Sequence, residues 1–240
     1  MATTDEHDDE FAPILPGAGG SDYERYLRTD ELLALQKGPD EWVHRDELLF
    51  QTVHQSSELW LKHACSEVAG ATERALADEY EAAERLLRRA QLGVRFITQQ
   101  LEMLEQMSPW EYQTIRRVLG HGSGFDSPGM RSVRRVSPPL WDAFTAALGR
   151  HGLDVVELYR HGAEHEALYQ LAEGLVGWDE EITVWRMRHY KTVARIIGDE
   201  VIGTQGTPVE VLGRLIHHAL YPELWQARNR LTALAKEEED

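Results

Sequence analysis

The 240-residue sequence has a single cysteine, Cys65, so an internal disulfide framework is excluded. That points to a reducing, cytoplasmic setting, with Cys65 as a small buried hydrophobe. Positive charge is also scarce. Lys and Arg number 25 against 41 Asp and Glu, a net charge of −16. A phosphate backbone would be repelled by such a field, which argues against nucleic acid as a partner. No apolar run approaches the roughly 20 residues of a membrane span, so no membrane partner is expected. The opening residues, MATTDEHDDE, lack the basic and apolar stretches of a secretory leader. Alternating β-branched runs bounded by turns are missing too, which removes the usual signature of sheets.

What remains is helical periodicity, and the expected class is all-α. Residues 1–20 hold acids, two prolines and the run Gly17-Ala-Gly-Gly20, and read as a mobile acidic arm. Residues 21–235 read as one all-helical domain and 236–240 as a frayed tail. The first helical segment carries Tyr23, Tyr26, Leu27, Leu32, Leu33 and Leu35. Long helices are expected over about 46–70 and 78–107, the second bent near Gly93. Ser108-Pro-Trp-Glu111 is a helix start, with a serine cap, a proline in the first turn and a glutamate placed to close a capping box. That helix is expected to end at Gly120, before the loop Gly120-His-Gly-Ser-Gly-Phe-Asp-Ser-Pro-Gly129. Further helices are expected over about 138–148, 151–174, 178–198, 208–220 and 222–235.

Two histidines stand within apolar stripes. Phe50, His54, Ser57 and Leu61 share one helical face. Ile182, Trp185, His189, Val193 and Ile196 share another. Each histidine reads either as a core residue satisfied locally or as one of a pair lining a cavity. In the second case one imidazole binds a metal and the other faces its open position. His54 and Glu58, four residues apart, leave open a non-haem iron site if a third ligand joins them. Tyr112 and Arg116 also share a face. The arginine is either a surface residue packing its stem on the tyrosine or a two-pronged grip for a carboxylate. Neither glycine-containing loop, 120–129 nor 203–208, has the strand and lysine of a phosphate-binding loop. The basic cluster Arg131–Arg135 lies directly after the first of them, within reach of any anionic group bound there.

Several segments, taken in order, resemble the tryptophan 2,3-dioxygenase family. They are Tyr23-Glu-Arg-Tyr-Leu27, Asp46 to Lys62 with its core Thr52-Val-His-Gln-Ser-Ser-Glu-Leu-Trp60, and Ser108-Pro-Trp-Glu-Tyr112 with Arg116. Gly122-Ser-Gly-Phe125, Trp185-Arg-Met-Arg-His189 and Tyr221-Pro-Glu-Leu-Trp225 complete the set. The resemblance implies an all-helical domain binding haem b, with O2 as co-substrate and L-tryptophan or a related indole amino acid as substrate. By the same resemblance His189 is the proximal iron ligand. His54 is the catalytic distal histidine, accepting the indole N–H. Phe50, Tyr112, Arg116, Ser123 and Thr204 bind substrate. Tyr23, Tyr26 and Leu27 reach a neighbouring subunit's pocket, which implies a homo-oligomer, a tetramer. The loop Gly203-Thr-Gln-Gly-Thr-Pro208 stands where the family pattern reads Gly-Thr-Gly-Gly-Ser-Ser-Gly, and Phe125-Asp-Ser-Pro-Gly129 replaces the usual glutamine-containing segment. These departures leave two outcomes open: ring cleavage by 2,3-dioxygenation, or insertion of one oxygen to give a 2-oxindole.

Overall fold

A computed structural model describes residues 12–238, and within them the chain is all-α. Four long helices form the body: α3 (Glu47–Leu76), α4 (Tyr80–Gln99), α7 (Pro128–His151) and α9 (Glu166–Ile197). Helix α3 packs against both α4 and α7, and α4 packs against α9. Short helices fill the ends: α1 (Asp22–Leu27), α2 (Thr29–Leu33), α5 (Leu101–Leu104), α6 (Pro109–Val118), α8 (Val155–Arg160) and α10 (Glu210–Leu215). Helix α11 (Pro222–Glu237) closes the chain. The sole β-pairing among the described residues is an isolated bridge between Ile202 and Pro208. No described helix is long and apolar enough to cross a membrane.

The core follows from the periodicity. Helix α3 contributes mainly small residues, Ala64, Val68, Ala71 and Ala75, which let neighbouring helices approach closely. Leu87, Val94 and Ile97 of α4, Leu140 and Phe144 of α7, and Leu171, Leu175 and Trp178 of α9 fill the space between. Cys65 lies among them, and burial pushes its thiol up to about 11, so it is an inert hydrophobe at neutral pH. A second, smaller core joins Val53, Leu101, Leu104, Met107, Ile115 and Ile196. It ties the start of α3 to α5, α6 and the end of α9, and forms the base of the candidate site.

Several boundaries differ from the sequence expectation. Helix α4 runs unbroken through Gly93 and yields at Gln100 instead. Helix α7 begins at Pro128, ten residues earlier than expected, and carries Pro138 and Pro139 inside it. Proline is disfavoured there because it removes an intrahelical hydrogen bond and crowds the preceding turn. Buried side chains pin the residue just before the pair. Trp178 Nε1 donates to Ser137 Oγ at 3.1 Å, and Tyr221 Oη donates to the Ser137 carbonyl at 3.2 Å. The two helices expected over 151–174 and 178–198 are in fact the short α8 and one continuous α9. Ser108 caps α6 as expected, accepting from the Glu111 amide. Among the described contacts the Glu111 carboxylate makes no return bond to the cap, and lies instead 3.8 Å from His44 Nε2.

At the termini, residues 1–11 of the expected arm and 239–240 of the expected tail lie outside the described residues. Residues 12–20 are irregular but tethered. The Asp22 carboxylate accepts from the amides of Ile14 (2.9 Å) and Leu15 (2.7 Å), and Arg25 donates to the Leu15 carbonyl at 2.6 Å. Helix α11 continues through Lys236 to Glu237.

The C-terminal segment is held by one buried acid. Asp179, 1% exposed, accepts from the amides of Leu220 (2.9 Å) and Tyr221 (3.1 Å) and from Trp225 Nε1 (2.9 Å). Asp179→Ala strands three donors around a buried gap. It is expected to lower unfolding free energy by about 3 kcal/mol in urea titrations, whereas an exposed acid such as Glu223 changed to Ala shifts it by under about 0.5 kcal/mol.

Candidate active site

The site lies where the first turns of α3 meet the last turns of α9. On α3, Phe50 and His54 stack with ring centroids 4.1 Å apart, and Tyr112 of α6 stands 6.0 Å from Phe50. On α9, Trp185 and His189 stack nearly parallel, 4.8 Å apart at an interplanar angle of 7°. Their spacing of four residues places both rings on one face. This end of α9 is fastened to α5 through Glu105, which follows that helix directly. Arg188 approaches its carboxylate to 3.1 Å, and Thr192 Oγ1 donates to it at 3.0 Å. This turn is therefore gripped on both sides of His189.

His54 has a defined tautomer. Its Nδ1 lies 2.7 Å from the Phe50 carbonyl, an oxygen that only accepts, so Nδ1 carries the proton. Nε2 is left with a free lone pair. The ring is open to the cavity yet surrounded by protein on most sides. Burial holds its pKa below the ordinary histidine value, against the smaller opposing effects of the Phe50 carbonyl and Glu58. His189 is depressed further, to about 4, by burial and then by the nearby His54. Both imidazoles are neutral at pH 7, the state in which a histidine ligates a metal or accepts a proton donor.

A loop and a strap cover this pair. Gly124 sits so close to His189 that a side chain there would begin 4.0 Å from its Cε1. Ser123 beside it caps the short turn Gly124–Asp126 by accepting from the Phe125 amide. Thr204 donates to the Gly122 carbonyl, and Arg116 donates to the Ile202 carbonyl at 2.7 Å. The structure thus gathers Phe50, His54, Tyr112, Arg116, Ser123, Thr204 and His189 at one end of the bundle. Tyr23, Tyr26 and Leu27 do not join them within a single chain. They are 69%, 78% and 45% exposed.

On its other side His54 borders a cavity of about 750 Å3 between α3 and α7. Leu32 and Leu35 form one wall, and Glu58, Lys62, Cys65 and Arg135 line the floor. The basic cluster thus puts one arginine, Arg135, on the cavity that His54 borders, while Arg131 does not line it. The pairing of His54 with Glu58 as metal ligands is not favoured. Ser127 Oγ donates to one oxygen of Glu58 and the Gly129 amide to the other at 2.8 Å. The carboxylate is therefore the anchor of α7's first turn, not a free ligand. Among the described residues one other group has metal-ligand spacing: His44, Asp46 and Glu111. There Nδ1 of His44 already accepts the Asp46 amide.

The residues present fit haem. A neutral histidine, with no hydrogen bond to its ring among the described residues, stacks on an indole whose Nε1–H is buried and unpartnered. An orphaned donor beside a candidate ligand is what a group bringing its own acceptors would satisfy. Trp185 carried no role in the sequence reading, although its position four residues before His189 was a usable signal.

The sequence profile described as tryptophan 2,3-dioxygenase matches residues 12–136. A protein of that name from Caulobacter vibrioides is 34% identical over 87% of this chain and 98% of its own length. The chain belongs to the tryptophan 2,3-dioxygenase family. Other relatives of the same name include those of Bacillus thuringiensis, 32% identical over 87% of this chain and 92% of theirs, and Serratia proteamaculans, 30% identical over 88% and 93%.

The depressed histidine has a measurable consequence in the haem-free protein of this family member. Unfolded, His189 binds a proton below about 6.5; folded, only near 4. The unfolded state therefore holds more protons between these values, and stability falls as pH falls through that window. From pH 7 to pH 5 the wild type is expected to lose about 2 kcal/mol more in urea unfolding than His189→Gln. Equal losses would show that His189 is not held neutral by burial.

Proposed function

We propose that the protein is a haem-dependent tryptophan 2,3-dioxygenase that converts L-tryptophan and O2 to N-formylkynurenine. The observation carrying this reading is the near full-length match to proteins bearing that name, in a chain whose two site histidines are both held neutral. Haem b, held through a ring nitrogen of His189, supplies the O2 chemistry when bound.

The chain's own residues do the binding and orienting. The Nε2 lone pair of His54 accepts the indole N–H, which its tautomer permits without rearrangement. Phe50 packs against the indole ring, with Tyr112 behind it. Arg116 exchanges the Ile202 carbonyl for the substrate carboxylate, a stronger, two-pronged partner. Thr204 spends its proton on the Gly122 carbonyl and keeps its lone pairs for the substrate ammonium. Ser123 stands beside the Gly124 backbone that abuts His189, on the wall of the same pocket. Fixing carboxylate, ammonium and indole nitrogen together sets which ring carbons meet oxygen.

The exposed Tyr23, Tyr26 and Leu27 complete the pocket of a second copy in a homotetramer, where their apolar surface is covered. The relatives carry the ring-cleaving enzyme's name, so the single-oxygen and non-haem alternatives are not favoured.

The test is reduction of haem-loaded protein without oxygen, then addition of L-tryptophan and O2, with products read by mass spectrometry. Gain of both oxygen atoms is expected, and gain of one would overturn the dioxygenase reading. His189→Ala is expected to abolish the Soret band. His54→Ala is expected to keep that band and lower turnover roughly tenfold or more through loss of the indole acceptor.

A further inference from the structure

Residues 201–209 form a self-contained strap. The Gly203 amide donates to the Thr207 carbonyl at 2.8 Å, the Gly206 amide to Gly203 at 3.0 Å, and the Val209 amide to Val201 at 3.1 Å. Gly206, at φ +77°, makes the reversal possible. Closed on itself in this way, the strap is fastened to the site side by outward hydrogen bonds through its carbonyls and side chains. The structure provides three. Arg116 holds the Ile202 carbonyl, Thr204 holds the Gly122 carbonyl, and Gln205 Nε2 donates to Asp126 Oδ2 at 2.5 Å.

Resting on the function proposed above, two of these tethers use groups that substrate engages. Arg116 leaves Ile202 when it takes a carboxylate, and Thr204 is drawn on by the ammonium. The third uses neither. Asp126 and Gln205 are exposed, 79 positions apart in sequence, and outside the set assigned to substrate.

We propose that Asp126 and Gln205 are positioning residues: their hydrogen bond latches the 201–209 strap to the turn that carries Ser123, and holds Thr204 over the site while substrate displaces the Arg116 tether. The bond has a charged acceptor, which strengthens it relative to a neutral pair. Its exposure sets an upper bound on its worth, so the effect belongs to substrate affinity and strap mobility rather than to global stability.

The experiment compares Asp126→Ala, Gln205→Ala, the double variant and Asp126→Asn in the haem-loaded protein. Two readouts are taken: KM and kcat for L-tryptophan, and hydrogen exchange of the Gly203, Gly206 and Val209 amides without substrate. Each alanine variant is expected to raise KM roughly three- to tenfold with a smaller change in kcat, and to speed exchange at those amides. The double variant is expected to be no worse than either single one, because both remove the same bond. Asp126→Asn keeps an acceptor oxygen and is expected to recover most of the loss. Additive effects in the double variant, or wild-type KM and exchange in the single ones, would overturn the latch. Absence of tryptophan turnover in the wild type would instead count against the proposed function, and the exchange comparison would still decide the latch.

Discussion

The docking of α7 on α3 governs the rest of the site. Both oxygens of Glu58 receive donors from the first turn of α7, and the Gly129 backbone comes so near Leu61 that any side chain at 129 would strike it at 2.7 Å. A carboxylate at a helix N-terminus meets unpaired amides and the positive end of the helix dipole. This junction fixes where α7 starts. The preceding turn, with Ser123 and Gly124, is thereby delivered to His189. The same contact occupies a carboxylate that would otherwise have been a plausible metal ligand beside His54.

From that anchor the two cores divide the work. The larger one, rich in alanine along α3, packs the four long helices. The smaller one, around Val53, Leu104, Ile115 and Ile196, holds the ends from which Phe50, Tyr112, Trp185 and His189 project. Desolvation at this end does the chemical tuning. It makes the charged imidazole costly at His54 and more so at His189, so both rings keep a lone pair available to a proton donor or a metal.

The all-α class and the grouping of functional residues were legible in the sequence because both rest on local rules. Apolar stripes at helical spacing put Phe50 with His54 and Trp185 with His189, and Ser108 announced the start of α6. The ordered motifs then joined stripes lying far apart in the chain. Helix limits were less legible where distant side chains override local preference. Helix α7 starts at Pro128, ten residues before the sequence expectation, where Glu58 of the distant α3 receives donors from its first turn. Likewise, nothing local distinguishes Glu58 as a helix anchor from Glu58 as a ligand.

The sequence by itself determined the helical class, the identity of the two histidines and the family to which the motifs belong. Side-chain type and spacing along a helix are properties of the chain alone. Tertiary structure decided the tautomer and neutrality of the histidines, the occupation of Glu58 and the pairing of Asp126 with Gln205. Each of these depends on which atoms from remote segments exclude water or supply a hydrogen bond, and that is set only when the helices pack.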